Sequence, residues 1–220
     1  MILEIVTIQI KAGQEAAFEA AFKEASVFIA AADGYIAHEL RRCLETKGKY
    51  VNMVRWQTVD DHMVGFRESE RFQKFRALVS PYYESPSQMN HYELVMQNPT
   101  SSITPSFSPV KWEVKTPFYD RMDVVMILEV AILNVKIGET ADFEAAFATA
   151  SSIIASMKGY RRHELRRCLE DAHQYVLLVE WDTLEDHTIG FRGSEQYQEW
   201  RRLLHHFYDP FPTVEHYEAI

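Results

Sequence analysis

One stretch of eight residues occurs twice in this chain, and this repeat constrains the fold more than any other feature. The residues His38 to Glu45, which read HELRRCLE, return unchanged at His163 to Glu170. The match extends in both directions without insertion or deletion, and roughly half of the aligned positions are identical, so one domain occurs twice. We define residues 1–95 as copy 1, residues 126–220 as copy 2 and residues 96–125 as the connector.

The hydrophobic pattern of copy 1 predicts six elements. Period-two alternation predicts strands over 2–11, 35–45, 50–57 and 88–95. Apolar residues at helical spacing predict a helix over 14–32 and a second one after Ser69, which is a typical N-cap residue. The order β-α-β-β-α-β is that of a ferredoxin-like sheet in an α+β fold.

The first strand is apolar on both parities, which indicates that both faces of its sheet are covered. The helices can cover one face, and the simplest cover for the other is the equivalent sheet of the second copy. We therefore expect two tandem ferredoxin-like domains with their sheets packed face to face inside one chain. The connector begins with a Pro, Ser and Thr-rich stretch, and its apolar second half, with Trp112 and Phe118, is expected to lie along one domain.

The charge of the chain excludes several classes of partner. The formal net charge is −9, the pI is near 5.5, and basic residues occur only in short runs, so neither nucleic acid nor an anionic membrane is an expected partner. No apolar run has the length of a membrane span, and the N-terminal residues do not resemble a secretory signal. A cytoplasmic location is expected, with Cys43 and Cys168 as buried, reduced thiols.

Four histidines are the candidate catalytic residues. His38 and His163 share a strand face with apolar residues and are expected to point into a pocket between sheet and helices, where a neutral imidazole could accept a proton. His62 and His187 begin a helical segment beside an aspartate that could orient the ring. The alternative interpretations are a buried, hydrogen-bonded histidine for the first pair and a solvent-facing one for the second.

Three further residue types are candidates for substrate binding, once in each copy. The tryptophans are large enough to wall a pocket, the phenylalanines are expected at its mouth, and the arginines could polarise a phenolate or instead form cross-strand ion pairs. The residues are Trp56, Trp181, Phe66, Phe191, Arg41 and Arg166. The spacing of His205, His206 and Asp209 fits no recognisable metal site, so we predict none.

Several of these motifs together resemble the antibiotic biosynthesis monooxygenase (ABM) family. They are the Ile-Leu-Glu start of the first strand, the Gly-Gln-Glu-Ala-Ala-Phe helix opening at Gly13, the pair Gly34-Tyr35, and the series Trp56, His62 and Ser69, with their counterparts in copy 2. The resemblance covers the whole chain except the connector. It implies a dimeric α+β barrel, formed here within one chain, which could pair again as a homodimer.

The resemblance also implies a set of alternative functions. The family is similar to cofactor-independent oxygenases of quinols and polycyclic phenols, to haem-degrading enzymes and to members with no known chemistry. We expect a monooxygenase that needs no cofactor and uses O₂ on a small aromatic, quinol-like substrate. The alternative is a non-catalytic ligand-binding or stress-related protein of the same fold.

Two details refine this expectation. In the haem-degrading enzymes of the family, an asparagine on the first strand, a tryptophan on the third and a histidine on the following helix form the site. Haem degradation is less favoured here, because His62 and His187 follow the tryptophan more closely than in those enzymes. In addition, Asn134 on the first strand of copy 2 is replaced by Gln9 in copy 1. The segment 205–212 of copy 2 differs from 80–87 of copy 1. If this segment closes the pocket, we expect copy 2 to be the more active copy.

Overall fold

The computed structural model of the protein describes residues 1–99 and 126–220. Copy 1 consists of β1 (Ile2–Gln9), α1 (Glu15–Ala30), β2 (Tyr35–Cys43), β3 (Lys49–Trp56), α2 (Glu70–Val79) and β4 (Gln88–Pro99). Copy 2 repeats the order as β5 (Ile127–Asn134), α3 (Thr140–Ala155), β6 (Tyr160–Cys168), β7 (Gln174–Trp181), α4 (Glu195–Leu204) and β8 (Thr213–Ala219). A π-helical turn precedes α2 at Asp61–Phe66 and α4 at Asp186–Phe191.

The predicted element order is therefore confirmed in both copies. Strand β4 continues to Pro99, four residues into the predicted connector. The expected docking of the apolar half of the connector lies outside the described residues.

All eight strands form one closed antiparallel barrel. Each copy supplies a sheet, in the order β4-β1-β3-β2 for copy 1 and β8-β5-β7-β6 for copy 2. The sheets face each other as predicted, and they also pair edge to edge, β2 with β8 and β4 with β6. We call these two pairings the seams. Because both seams are continuous, neither sheet keeps an unpaired edge strand.

The core has three parts. Leu3 and Ile5 of β1 point into the barrel, in a buried cluster to which both copies contribute. Ile2 and Ile8 point the other way, into the layer between the copy 1 sheet and its helices, and copy 2 has the corresponding layer. The prediction that both faces of the first strand are covered is thus correct. Cys43 and Cys168 are free thiols in the barrel cluster.

Charged side chains inside the barrel join the two copies. The guanidinium of Arg55 lies 3.1 Å from the carboxylate of Glu164, and that of Arg41 lies 3.8 Å from Glu180. Each pair combines one residue from each copy. Buried ion pairs of this kind specify an arrangement more than they stabilise it.

Candidate active site

A cavity of about 550 Å³ lies between the sheet of copy 1 and helix α2. Its size suits a small aromatic ligand of two or three rings. The apolar walls include the aromatic residues Trp56, Phe66, Phe72, Phe75 and Tyr83. Three buried polar side chains, Glu4, Asn52 and His62, also line it.

Glu4 is the acidic group of this cavity. It alternates with Leu3 and Ile5 along β1 and therefore faces the helices rather than the barrel. One carboxylate oxygen accepts a hydrogen bond from the indole N–H of Trp56 at 2.8 Å, and the other lies 3.3 Å from Nε2 of His62. Burial raises the pKa of Glu4 to about 7, although the Trp56 hydrogen bond and the charge of Arg67 act to lower it. The carboxyl group can therefore take up or release a proton near neutral pH.

The π-helical turn holds His62 against this carboxyl group. The hydroxyl of Thr58 accepts a hydrogen bond from the backbone N–H of Asp61, whose carboxylate accepts one from the backbone N–H of Thr58, which is the reciprocal pattern of a capping box. The N–H of Arg67 reaches back five residues to the carbonyl of His62, at 2.8 Å. The His62 ring stacks on Trp56 at 5.2 Å between centroids and is only 2% exposed. A π-helical turn inserts an extra residue into a helix, and such turns often occur at functional sites.

A second histidine and a second carboxylate extend the cluster away from the cavity. Nδ1 of His62 lies 2.7 Å from Nε2 of His91, and Nδ1 of His91 lies 2.6 Å from a carboxylate oxygen of Glu170. Burial, then the neighbouring His91 and Arg67, lower the pKa of His62 to about 3, so this ring is neutral. Glu170 belongs to copy 2, and the cluster therefore crosses the seam between β4 and β6.

Asn52 supplies an unsatisfied polar atom at the cavity. Its side chain is 4% exposed, and its carbonyl oxygen has no hydrogen-bond partner among the described residues. A buried polar atom in this state is costly. The geometry suits a ligand that carries a hydroxyl group.

Copy 2 contains the same cluster of ionisable groups. Glu129 accepts a hydrogen bond from Trp181 at 2.9 Å and lies 3.5 Å from His187. The chain continues through His216, at 2.6 Å from His187, to Glu45 of copy 1. Burial raises the pKa of Glu129 to about 7, although the Trp181 hydrogen bond and Arg192 act to lower it.

The surroundings of the cluster differ between the copies. Leu177 and Trp200 of copy 2 replace Asn52 and Phe75 of copy 1. Phe207 and Tyr208 are buried in the copy 2 core, whereas their counterparts Tyr82 and Tyr83 are only partly buried. His205 and Phe211 pack ring against ring at 4.9 Å. The large cavity lies in copy 1, which is opposite to the expectation that copy 2 is the more active copy.

The four predicted catalytic histidines fall into two groups. His62 and His187 join the clusters described above. His38 and His163 pack elsewhere in the helix layers, each with Nδ1 at 2.8 Å from a tyrosine hydroxyl, that of Tyr35 or Tyr160. Burial lowers the pKa of His38 and that of His163, the latter to about 4. His38 is not among the residues that line the copy 1 cavity.

The predicted substrate-binding residues also fall into two groups, on opposite faces of the sheets. Trp56 and Phe66 line the cavity, and Trp181 and Phe191 stack on each other in copy 2 at 5.9 Å. Arg41 and Arg166 project into the barrel, on the opposite sheet face, where each pairs with a carboxylate of its own strand at 2.8 and 2.7 Å. The arginines therefore form ion pairs, the closest of them within their own strands rather than across strands as the alternative interpretation had it, and a ligand in the cavity does not reach them.

Sequence reasoning did not select Glu4, Asn52, His91 or Glu170. Three of them had a signal in the repeat, because Glu4, His91 and Glu170 recur as Glu129, His216 and Glu45. Within the described ranges, no group of three or more His, Cys, Asp or Glu side chains could hold a metal ion. No helix in the same ranges is long and apolar enough to cross a membrane.

One protein family matches both copies of the repeat. The antibiotic biosynthesis monooxygenase family matches residues 1–78 and 126–203. The chain belongs to this family. Among ABM relatives, the uncharacterized protein YczJ of Bacillus subtilis (strain 168) is 58% identical over 95 residues, which are 43% of this chain and 100% of that protein.

Crystal structures of two other proteins share the fold of the tandem chain. A Fusobacterium nucleatum protein, named provisionally as a monooxygenase, superimposes with a TM-score of 0.71 at 8% identity, over 99% of this chain and 91% of its own. An anthrone oxidase-like protein gives a TM-score of 0.71 at 10% identity, over 100% and 91%. At these identities the likeness concerns the fold alone.

The strand asparagine of haem-degrading family members has no equivalent position in this site. Asn134 pairs with Gln174 at one end of the β5–β7 ladder, and Trp181 lies at the other end. The tryptophan and histidine are instead joined by a glutamate in each copy. This arrangement does not fit the haem-degrading set of residues.

Proposed function

We propose that this ABM protein is a cofactor-independent monooxygenase that oxidises a small aromatic, quinol-like substrate with O₂ in the copy 1 cavity. One observation carries the proposal. Glu4, a buried carboxyl group with a pKa of about 7, opens onto an aromatic cavity beside His62 and the unsatisfied amide of Asn52. A base with this pKa, beside an aromatic pocket wall, is suited to ionise a weakly acidic phenol or ring C–H group.

The chemistry needs only the substrate, O₂ and this base. Glu4 in its ionised form removes a proton from the substrate, and the resulting anion transfers one electron to O₂. The substrate radical and superoxide combine to form a C–O bond, and the peroxide then loses water to give a quinone. For an anthrone, one oxygen atom enters the product and the other leaves as water, so four electrons pass from the ring system to O₂. Asn52 would hold the substrate hydroxyl during these steps.

Oxygen uptake with a panel of hydroquinones, naphthoquinols and anthrones tests this proposal. We expect uptake above the autoxidation rate, and at least a 100-fold loss in Glu4→Gln, which is the usual scale for loss of a general base. Glu129→Gln is the matched control, because it makes the same change at the equivalent position of copy 2, outside the copy 1 cavity, and it should retain the rate. Uptake that is absent across the panel, or that falls equally in both variants, would contradict the proposal.

The pH dependence gives an independent test of the base. Because Glu4 must be ionised to accept a proton, kcat/KM should rise with pH and level off above about pH 7, as its pKa of about 7 requires. Binding of the same aromatics without uptake would favour the alternative, a ligand-binding protein that has kept the fold.

A further inference from the structure

The hydrogen bonds that lead from His62 through His91 to Glu170 have a defined direction. Glu170 is held by the backbone N–H of His91 at 2.9 Å and by its ring at 2.6 Å. Burial acts to raise the pKa of Glu170, but these bonds and one from Cys168 outweigh it and leave the pKa below its usual value. Glu170 is therefore an acceptor only, and His91 must carry its proton on Nδ1.

This assignment fixes the rest of the cluster. With the proton of His91 on Nδ1, its Nε2 is an acceptor and takes the Nδ1–H of His62, 2.7 Å away. Nε2 of His62 is then an acceptor as well, and it faces Glu4 at 3.3 Å. The proton of that contact has to come from Glu4, which agrees with the raised pKa of this residue.

We propose that His62, His91 and Glu170 form a proton relay that connects Glu4 to solvent, so that copy 2 supplies the proton exit of the copy 1 site. In one passage, Glu4 gives its proton to Nε2 of His62, the Nδ1 proton of His62 moves to Nε2 of His91, and the Nδ1 proton of His91 moves to Glu170. One negative charge moves from Glu170 to Glu4, and nothing is oxidised. The catalytic use of the relay rests on the proposed function, whereas its existence does not.

Burial explains why such an exit is needed. Glu4 is 6% exposed, and both histidines are 2% exposed, so a ligand in the cavity would cut Glu4 off from water. The side chain of Glu170 is 45% exposed and can exchange protons with solvent directly. The charged and titratable groups that act on Glu4 and His62 are each other, Arg67, His91 and Glu170.

The titration of Glu4 provides a readout that does not depend on turnover. We would follow the infrared carbonyl band of the protonated carboxyl group together with near-ultraviolet difference spectra of Trp56, which donates to it. All proteins would carry Glu129→Gln, which removes the corresponding signal of copy 2. The band should disappear with a midpoint near pH 7, and it should be absent when Glu4→Gln is added.

Glu170→Gln tests the relay against a matched control. A glutamine amide can donate to Nδ1 of His91, which allows both rings to reverse and His62 to donate to ionised Glu4. The midpoint of Glu4 should therefore fall by about one pH unit. Glu45→Gln makes the same change at the other seam and should leave the midpoint unchanged. Equal shifts in both variants, or no shift in Glu170→Gln, would overturn the relay.

The rate of proton release distinguishes a proton relay from a cluster of residues that only stabilises the fold. After a rapid pH jump with an aromatic ligand bound, the Trp56 signal should relax at least 10-fold more slowly in His91→Phe than in wild type, with His216→Phe as control. An unchanged rate would overturn the relay. If no substrate is ever oxidised but Glu170→Gln still moves the midpoint, the oxygenase proposal fails and the relay stands. If Glu4→Gln abolishes oxygen uptake while Glu170→Gln changes neither midpoint nor rate, the relay fails and the function stands.

Discussion

A single carboxyl group, that of Glu4, is the charged side chain of β1. Alternation along β1 places Glu4 under the helices, where Trp56 lies 2.8 Å and His62 3.3 Å from its carboxylate oxygens. Burial of an ionisable group without a cationic partner favours its neutral form. The burial that prepares Glu4 to exchange protons near pH 7 therefore also makes the folded protein less stable at pH 7 and above than at acidic pH.

Glu4→Gln should stabilise the protein at alkaline pH. Native Glu4 keeps its proton to about pH 7, whereas the unfolded residue loses it near 4.5. The unfolded state thus binds fewer protons in this window, and the free energy of unfolding falls as pH rises from 4.5 to 7. The full linkage is roughly 3 kcal/mol.

Urea unfolding at pH 5 and pH 8 measures this effect. We expect the stability advantage of Glu4→Gln over wild type to grow by about 2 to 3 kcal/mol between pH 5 and pH 8, because most of the linkage falls between these values. The same difference at both pH values would show that the variant acts through packing instead.

Asn52 and Leu177 permit a reciprocal exchange at equivalent positions. Asn52→Leu removes an unsatisfied buried oxygen and introduces the residue that copy 2 already uses, so it should keep or raise stability while it weakens aromatic ligand binding at least 10-fold. Leu177→Asn buries an amide without a prepared partner and should cost about 1 to 3 kcal/mol. Calorimetric titration with a naphthoquinol, together with thermal melts, tests both. Unweakened binding in Asn52→Leu would remove the amide from the site.

At this scale the sequence revealed some site residues and not others. Trp56 and His62 were selected separately, as pocket wall and candidate base, and both line the cavity. Glu4 and Glu170 were missed, since their roles depend on which groups the barrel closure brings together. His38 was selected for the correct sheet face, but the face is wide and α1 covers its part of it.

At the scale of elements, the π-helical turn 61–66 sets the position of His62. The first residue of this turn packs closely against Gly34. Gly34 has a φ of +73°, and a Cβ at this position would lie 2.2 Å from Cγ of Asp61. Gly13 has a similar φ of +79°, with nothing within 4 Å of such a Cβ. The two glycines therefore separate backbone strain from a clash with the turn.

Gly34→Ala should destabilise the protein far more than Gly13→Ala. The left-handed backbone alone costs roughly 1 to 2 kcal/mol for alanine, which we expect for Gly13→Ala. In Gly34→Ala the displaced turn should add at least as much again and move the Glu4 titration. Thermal unfolding and the infrared band measure the two effects. Equal stability losses would mean that the turn adapts without cost.

Element boundaries were predictable where a local signal exists. Helix α2 begins after Ser69, whose hydroxyl accepts from the N–H of Phe72 at 3.3 Å, as the cap predicted. The π-helical form of the preceding turn and the extension of β4 to Pro99 were not predictable, because neither has a local signal. Strand β4 continues because β6 of the other copy pairs with it up to this residue.

At the scale of the whole molecule, the repeat predicted the pairing of two sheets but not how the two copies recognise each other. Arg55 of copy 1 and Glu180 of copy 2 occupy equivalent positions in the repeat and both face the barrel interior. Arg41 therefore meets Glu180 across the barrel. In a barrel of two copy 1 domains, Arg41 would meet Arg55 instead.

Residues 1–99 and 126–220, produced as separate chains, should reveal this preference. We expect them to co-purify as a 1:1 pair, because both seams and the Arg41 to Glu180 contact are restored. Residues 1–99 alone should self-associate at least 10-fold more weakly, since each Arg41 would face an arginine in place of Glu180, and like charges at close range are strongly unfavourable.

Arg55→Glu supplies the decisive variant, because it gives copy 1 the charge that copy 2 carries at this position. It should strengthen self-association of residues 1–99 and weaken their pairing with residues 126–220, where Glu164 would lose its ion pair with copy 1 and keep only Arg166 of its own strand. Analytical ultracentrifugation of each mixture measures both. If wild-type residues 1–99 dimerise as tightly as they pair with copy 2, the charges do not select the partner. The covalent linkage would then be what keeps copy 1 beside copy 2.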